Sequence, residues 1–309
     1  MLEVHVMLSP VVAGVDGSAG SLVAAAWAAH EAVRRGRALR LLHAREGRSR
    51  RGEPPIADAA RRTLAQRVLR QAEERVLAAC PGVRLYDDQV EWPATDALVR
   101  AAEDADLLVL GSRGAGRLTG LLAGSVALGV VARATHPVVL VRADTDEDVL
   151  GRADSEEGRP AGPPRDGRRD VVLGLDVTGP CDEVIAFAFE AARLRRARLR
   201  VLHAWRAPGP FPLGPGEAGL PGDPRRAGEW LGFLSSVLRV WRDKYPDVVV
   251  LEMAVEGRPS DALLRAASAA DLLVVGHRLT DRPRVPRTGP VAHAVMQQAG
   301  CAVAVVPHF

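Results

Sequence analysis

Short apolar runs alternate with longer amphipathic segments along the whole chain. In the first half, this pattern predicts strands at 10–15, 39–44, 83–91, 106–110 and 137–142, and helices at about 19–35, 57–79, 95–103 and 123–134. Several of the strand segments are apolar without alternation, which is typical of strands that helices cover on both faces. The order of elements therefore predicts an α/β fold of the doubly wound type, with a parallel sheet between two helical layers.

The second half of the chain repeats the first. VVAGVD at 11–16 recurs as VVLGLD at 171–176, and LLHA at 41–44 recurs as VLHA at 201–204, both 160 residues later. DLLVLG at 106–111 recurs as DLLVVG at 271–276, 165 residues later. A repeat of this length is that of a whole domain, so the chain is predicted to hold two tandem domains of the same fold.

A polar segment separates the two halves. It is rich in Asp, Glu, Gly, Pro and Arg and has almost no apolar residues, which is the composition of a linker. We therefore expect a first domain at 8–143, a flexible linker at 144–168 and a second domain at 169–309.

The composition excludes several classes of protein. Of the 309 residues, 47% are hydrophobic and 26% charged, which is enough for folded cores. A net charge of +3 and an aromatic content of 4% do not suggest a nucleic-acid-binding protein. Lys244 is the only lysine, which excludes a Walker A site or a Schiff base elsewhere. The three cysteines are far apart and fit a reducing cytosol.

A glycine-rich loop follows the fourth predicted strand. Its spacing is Gly111, two residues, Gly114, nine residues, and then Gly124-Ser125 at the start of a helix. Glycines leave backbone N–H groups uncovered, and the N-terminus of a helix attracts anions, so the loop is predicted to hold phosphates. Ser125 is expected to cap the helix or to donate its hydroxyl to a phosphate. Arg113 and Arg117 could balance the phosphate charge.

These segments together resemble the universal stress protein family. The loop spacing matches the nucleotide-binding motif of that family, and VAGVDGS at 12–18, LLHA at 41–44, ADLLVLG at 105–111 and HPVVLV at 136–141 agree with it. The resemblance covers both halves, so the chain is similar to a tandem member. It implies two Rossmann-like, flavodoxin-like domains, each with a five-stranded parallel sheet in the order 3-2-1-4-5, flanked by helices.

The resemblance also implies an ATP site in the first domain, where the winding of the sheet reverses. Asp16 would accept from a ribose hydroxyl, Gly14 and Val15 would approach the nucleoside, and the backbone of Ala44 would meet the adenine edge. The glycine loop and the following helix would hold the phosphates. The expected ligand-binding residues are Gly14, Val15, Asp16, Ala44, Gly111, Ser112, Arg113, Gly114, Ala115, Gly116, Arg117, Gly124, Ser125 and Val126. Taken singly, an Asp that caps a helix or a glycine-rich connection is equally consistent with a structural role.

The second half departs from this motif. Asp176, Gly276 and Gly289 are in place, but Leu279 stands at the second glycine position and Pro290 at the serine position. A leucine resists positive φ, and a proline has no N–H to donate. The second domain is therefore expected to be a degenerate nucleotide site, retained for structure or partner contact.

The sequence as a whole predicts a cytoplasmic stress-response regulator that binds ATP in its first domain. No catalytic and no metal-ligating residues are assigned, at most slow ATP hydrolysis is expected, and whether Mg²⁺ accompanies the ATP is left open. An unidentified protein partner is expected, association of two chains is left open, and neither nucleic acid nor membrane is expected to bind. Two alternatives remain: an ATP-using enzyme of the adenylating type, and a nucleotide-free scaffold.

Overall fold

The computed structural model describes residues 8–45, 55–112, 124–143, 170–179, 181–206, 224–279 and 288–309. For residues 55–58 and 224 it describes the backbone alone. The described residues fall into two compact units, one N-terminal and one C-terminal. The segment predicted as a linker, 144–168, lies outside the described residues.

The first unit is a parallel sheet flanked by helices. Its strands pair in the order β3-β2-β1-β4-β5, and every pairing is parallel. The order 3-2-1-4-5 implied by the family resemblance is therefore confirmed, and the winding reverses between β1 and β4. Its elements in chain order are β1 (Val11–Gly14), α1 (Ala19–Arg35), β2 (Leu39–Ala44), α2 (Pro55–Ala79), β3 (Leu85–Val90), α3 (Ala94–Glu103), β4 (Leu107–Ser112), α4 (Ser125–Val131) and β5 (Val138–Arg142).

The second unit repeats this architecture. Its strands pair, again all in parallel, in the order β8-β7-β6-β9-β10, which is the same 3-2-1-4-5 arrangement. Its elements are β6 (Asp170–Gly174), α5 (Asp182–Arg195), β7 (Leu199–Trp205), α6 (Pro224–Lys244), β8 (Val250–Glu256), α7 (Pro259–Ala267), β9 (Ala270–Arg278), α8 (Pro290–Gln298) and β10 (Ala302–His308).

The central strands form the core of each unit. Residues 11–13 of β1, 107–110 of β4 and 138–141 of β5 are all buried, as their unbroken apolar pattern predicts. Helix α1 packs on β1, β4 and β5 with a face of alanines, and alanine lets a helix lie close to a sheet. Within the described part of the chain, no helix is long and apolar enough to cross a membrane.

The structure differs from the sequence prediction around β4 and α4. Strand β4 does not end at Leu110 but continues through Gly111 to Ser112, because these two residues still pair with Val141 and Arg142 of β5. Helix α4 covers Ser125–Val131, which is shorter than the predicted 123–134. Gly111 is consequently the penultimate residue of a strand, and the glycine-rich loop begins after it.

Candidate functional site

Most of the described residues assigned to the site from sequence lie at one edge of the first sheet. Strands β1 and β4 pair with Gly14 opposite Leu110, so Asp16 and Gly111 follow on neighbouring strands at the reversal point. On the other side of β1, Gly14 lies opposite Leu42, which places Ala44 at the same edge. Ligands of open α/β sheets bind beyond the carboxyl ends of the strands at this reversal. The geometry therefore brings the end of β1, the end of β2 and the end of β4 together.

Asp16 organises the turn into α1. Its Oδ1 accepts hydrogen bonds from the backbone N–H of Ser18 at 3.0 Å and from the Ser18 hydroxyl at 2.6 Å. Ser18 is the N-cap of α1, and its Oγ accepts from the backbone N–H of Ser21. Between them, Gly17 has a φ of +83°, which favours glycine. The Asp16 carboxylate therefore has a structural role in this turn.

Hydrogen bonds keep the Asp16 carboxylate ionised. Burial raises the pKa of this group, but the side-chain and backbone hydrogen bonds from Ser18, with a contribution from Ser21, outweigh burial and hold the pKa below its ordinary value. At neutral pH Asp16 is thus a charged acceptor, which is the form needed to receive a hydroxyl proton.

Two of the predicted site glycines are closely packed, Gly14 against side chains and Gly111 against backbone. A Cβ on Gly14 would lie 2.7 Å from Leu110 Cδ2 and 2.8 Å from Leu98 Cδ2. A Cβ on Gly111 would lie 2.5 Å from the carbonyl carbon and oxygen of Gly20, at the start of α1. The absence of a side chain at Gly111 is what lets the first turn of α1 approach the end of β4. This steric role was not recognised in the sequence, where Gly111 was assigned to phosphate binding.

The other predicted residues take varied positions. Val15 is buried, and its carbonyl oxygen accepts from Nδ1 of His43 at 2.8 Å. Ser112 is buried, and its hydroxyl donates to the carbonyl oxygen of Val141 at 3.2 Å. The expectation that Ser125 caps α4 is wrong: Gly124 is the N-cap, without a side-chain hydrogen bond, and Ser125 is the first helical residue. Both Ser125 and Val126 are exposed. Outside the described residues lie Arg113, Gly114, Ala115, Gly116 and Arg117.

A cavity of about 470 Å³ lies beside Asp16 in the first unit. Of the described residues that the sequence assigns to the nucleotide site, Asp16 lines this cavity. Helix α2 supplies one wall, through positions spaced as one face of a helix, while His43 of β2 and the next residue but one, Arg45, line the cavity from the sheet. The α2 residues are Arg61, Leu64, Ala65, Arg67, Val68 and Gln71. This wall is not among the residues predicted from the sequence, although the spacing of Arg61, Leu64 and Val68 is that of one helix face.

The second unit keeps the Asp and His arrangement of the first. Asp176 Oδ1 accepts from the backbone N–H and the hydroxyl of Thr178, at 3.0 and 2.6 Å. Burial raises the pKa of Asp176, but these bonds and the charges of His203 and Arg278 outweigh it and hold the pKa below its ordinary value. Nδ1 of His203 donates to the carbonyl oxygen of Leu175 at 3.0 Å, as His43 does to Val15. Both histidines thus fix the end of a neighbouring strand.

The phosphate-binding end of the second unit is altered. The backbone N–H of Leu279 donates to the carbonyl oxygen of His308 at 2.8 Å, so it is already engaged within the protein. Gly289 is the N-cap of α8 and Pro290 is its first residue, the position that Ser125 holds in α4. Proline suits the start of a helix but supplies neither an N–H nor a hydroxyl.

A cavity of about 550 Å³ occupies the reversal point of the second sheet. Asp176, His203 and Gly276 line it at the strand ends, and Pro290 lines it at the start of α8. Its remaining polar and aromatic lining includes Thr178, Cys181, Trp205, Arg206, Trp230, His277, Arg278 and His308. Trp205 stands 160 positions after Arg45, so an aromatic ring replaces a guanidinium at the equivalent place.

The chemistry of the described residues offers few reactive groups. Cys181 lines the second cavity, but burial, and next the negative charges of Asp182, Asp176 and Glu183, raise the pKa of its thiol to about 11. A thiol of this kind is protonated at neutral pH and is a poor nucleophile. Among the residues described, no group of three or more His, Cys, Asp or Glu side chains is placed to hold a metal ion.

Comparison with known proteins finds relatives that match both halves of the chain. The model of the universal stress protein family matches residues 7–142 and again 167–307. A universal stress protein of Mycobacterium tuberculosis is 32% identical over 96% of this chain and 95% of its own length. Another, from Mycolicibacterium smegmatis, is 29% identical over 96% of both chains.

A solved structure agrees with these relatives. The crystal structure of a universal stress protein from Archaeoglobus fulgidus covers 97% of this chain and 98% of its own, with a TM-score of 0.67 and 17% identity. That likeness concerns the fold. Together, the two matched segments and the relative at 32% identity show that this chain belongs to the universal stress protein family, as a member with two tandem domains.

Proposed function

We propose that the first unit binds ATP and that the protein acts as a stress-response regulator through this binding. The observation that carries the proposal is the position of Asp16: an ionised acceptor at the reversal point, two residues beyond the end of β1, the strand that pairs with β4, and beside a cavity. An ionised carboxylate at this place can accept hydrogen bonds from the hydroxyls of a ribose.

The glycine loop supports the same proposal. It leaves β4 next to the end of β1, and it retains both loop glycines and the Gly-Ser pair that begins α4. In this proposal, Gly14 and Val15 border the nucleoside, Ala44 meets the base through its backbone, and the phosphates lie on residues of the loop from Ser112 to Gly116 and on Arg117, Gly124, Ser125 and Val126. A cavity of about 470 Å³ beside Asp16 is within the size range of small-molecule sites.

Replacing Asp16 with alanine should weaken ATP binding while the fold is retained. Loss of a charged hydrogen bond to a ribose hydroxyl lowers affinity roughly 10- to 150-fold. Isothermal titration calorimetry with ATP, with circular dichroism to confirm folding, measures the effect. Asp176→Ala is the matched control, because Asp176 makes the same turn in the second unit. Unchanged affinity in Asp16→Ala, or an equal loss in both variants, would remove Asp16 from the site.

A further inference from the structure

The third strand of each unit has one open edge. Within the described residues, β3 pairs with β2 alone and β8 pairs with β7 alone, so one side of each backbone has no neighbouring strand. An open edge can recruit a strand from another chain, and proteins commonly protect it with charged side chains. The two edge strands differ in this protection, although they occupy equivalent places in the two units.

Strand β3 carries two acidic residues at its centre. Asp87 is exposed, and Asp88 is half-buried and accepts a hydrogen bond from Arg40. If two copies of β3 paired in antiparallel fashion about either residue, that aspartate would lie opposite its own copy. Like charges directly opposite one another destabilise a strand pair. These residues therefore protect β3 against pairing with itself.

Strand β8 lacks this protection. Leu251, Met253 and Val255 share one face of it, because side chains alternate along a strand, and Leu251 is 41% exposed. Glu252 lies on the other face, where its carboxylate accepts a hydrogen bond from Ser235 of α6 and forms an ion pair with Arg242 at 2.8 Å. The central charge of β8 is thus bound to a helix of its own unit, and the opposite face of the strand is apolar.

Backbone groups of every second residue of β8 face its open edge. The N–H of Leu199 donates to the carbonyl oxygen of Val249 at 2.9 Å, and the N–H of Gly257 donates to that of Trp205, also at 2.9 Å. In a parallel pair the bonds are evenly spaced and use alternate residues, so the odd-numbered residues of β8 bond to β7. The N–H and C=O groups of residues 250, 252, 254 and 256 therefore point away from β7.

One antiparallel register of two β8 strands satisfies both the backbone and the side chains. Hydrogen-bonded pairs must join even-numbered residues, and the register centred on Met253 pairs 250 with 256 and 252 with 254 of a second copy. It sets Leu251 opposite Val255 and Met253 opposite Met253, which are apolar cross-strand pairs. The registers centred on 252 and 254 instead set Glu252 opposite a glutamate. Strand β8 is therefore complementary to its own copy.

The flank of α6 above β8 leaves room for a second copy. The contacts of Ser235 and Arg242 with Glu252 place this flank over β8. Gly228 and Gly232 lie seven and three residues before Ser235, hence on the same side of the helix, and both are exposed. A Cβ on either glycine would meet nothing within 4 Å. In a sheet that continues across two β8 strands, this open flank faces the α6 helix of the second copy.

We propose that β8 is the interface through which two copies of this chain associate. Their β8 strands pair in antiparallel fashion about a twofold axis at Met253, so each chain contributes the same surface. The interface uses the outer strand of the second unit and not the strand ends at the reversal point. The proposal therefore stands whether or not either unit binds a nucleotide.

Sedimentation equilibrium of the full chain tests the association. We expect a dimer, and Leu251→Lys should raise its dissociation constant roughly 5- to 30-fold, because the Leu251–Val255 pair occurs twice in the interface. Tyr86→Lys is the matched control: Tyr86 is 45% exposed and pairs with Arg40 in β2 as Leu251 pairs with Arg200 in β7. This control should leave the dissociation constant unchanged. A monomeric unmodified chain, no effect of Leu251→Lys, or equal weakening by both variants overturns the proposal.

A cysteine on the proposed axis tests the register and does not depend on how Leu251→Lys folds. Directly opposed residues of a non-hydrogen-bonded antiparallel pair have Cα atoms about 4.5 Å apart, which a disulfide can span. Met253→Cys should therefore form a covalent dimer on mild oxidation, seen in non-reducing gel electrophoresis.

Two proteins control for other disulfides in this experiment. The unmodified chain reports any cross-linking through its own three cysteines, and Leu251→Cys places two new thiols about 13 Å apart along the junction. Neither should form the covalent dimer. Absence of the covalent dimer in Met253→Cys, or an equal amount in Leu251→Cys, overturns the proposed pairing.

Discussion

Replacing Gly111 with alanine should destabilise the first unit and disrupt nucleotide binding. The new Cβ would meet the backbone of Gly20 at 2.5 Å and the backbone nitrogen of Ser21 at 2.7 Å, so α1 must move away from β4. Overpacking against a rigid backbone costs about 1–3 kcal/mol and sometimes more. Urea unfolding, with hydrogen exchange of residues 19–35 to locate the loss, measures the effect.

Gly276→Ala is the matched control for Gly111→Ala. At this equivalent position a Cβ would meet the side chains of His308, at 2.9 Å, and Val184, at 3.2 Å. Side chains yield more easily than backbone, so we expect a clearly smaller loss of stability. Equal effects of the two substitutions would show that the close approach of α1 to β4 is not the reason for a glycine at 111.

Replacing Glu31 with alanine should also have a large effect on the first unit. Glu31 is 1% exposed, and its carboxylate accepts a hydrogen bond from Nε of Arg35 at 2.7 Å. A second nitrogen of the Arg35 guanidinium donates a hydrogen bond to Asp106 at 2.9 Å. Burial lowers the pKa of Arg35, but the charges and hydrogen bonds of Glu31 and Asp106 outweigh it and raise the pKa, so the guanidinium stays charged. Removing one partner of a buried ion pair leaves the other charge poorly compensated, which lowers the free energy of unfolding by about 3 kcal/mol. Urea unfolding of the variant measures this loss.

The second unit supplies the control for Glu31. The equivalent position there is Ala191, and the equivalent arginine, Arg195, donates to the Ala191 carbonyl oxygen. The second unit therefore has an alanine where the first unit has the buried glutamate. Glu31→Ala combined with Arg35→Ala should cost less than the sum of the two single changes. Strict additivity would contradict the importance of the buried pair.

The sheet could be predicted from the sequence because its central strands are apolar without interruption. That pattern fixed β1, β4 and β5, and it placed Asp16 next to Gly111 at the reversal point. The predicted end of β4 is two residues too early. Gly111 and Ser112 belong to the strand because they pair with β5, and neither residue type by itself indicates a strand.

The linings of both cavities were less accessible to sequence analysis. Trp205 and Trp230 come from a strand and a later helix, and the contact of Trp230 with His203 depends on how α6 lies on the sheet. The steric role of Gly111 likewise depends on how closely α1 packs against β4, and the sequence around Gly111 does not indicate this distance. Tertiary packing decides such contacts, so the sequence could identify the strand ends but not the walls around them.

The altered phosphate-binding residues of the second unit should lower its affinity for ATP. At least two backbone donors are lost there, and hydrogen bonds to charged oxygens contribute about 1.5–3 kcal/mol each. Such a loss moves a micromolar site to roughly millimolar affinity. The chain should therefore bind ATP in its first unit alone at ordinary concentrations.

Equilibrium dialysis of the full chain against ATP measures this most directly. We predict about one ATP per chain, abolished by Gly114→Leu with Ser125→Pro, the two residues found at the equivalent positions of the second unit. Leu279→Gly with Pro290→Ser should leave the first site intact and is the variant in which a second site could appear. Two equivalent ATP sites in the unmodified protein would contradict the account, and would mean that other groups of the second unit replace the lost donors.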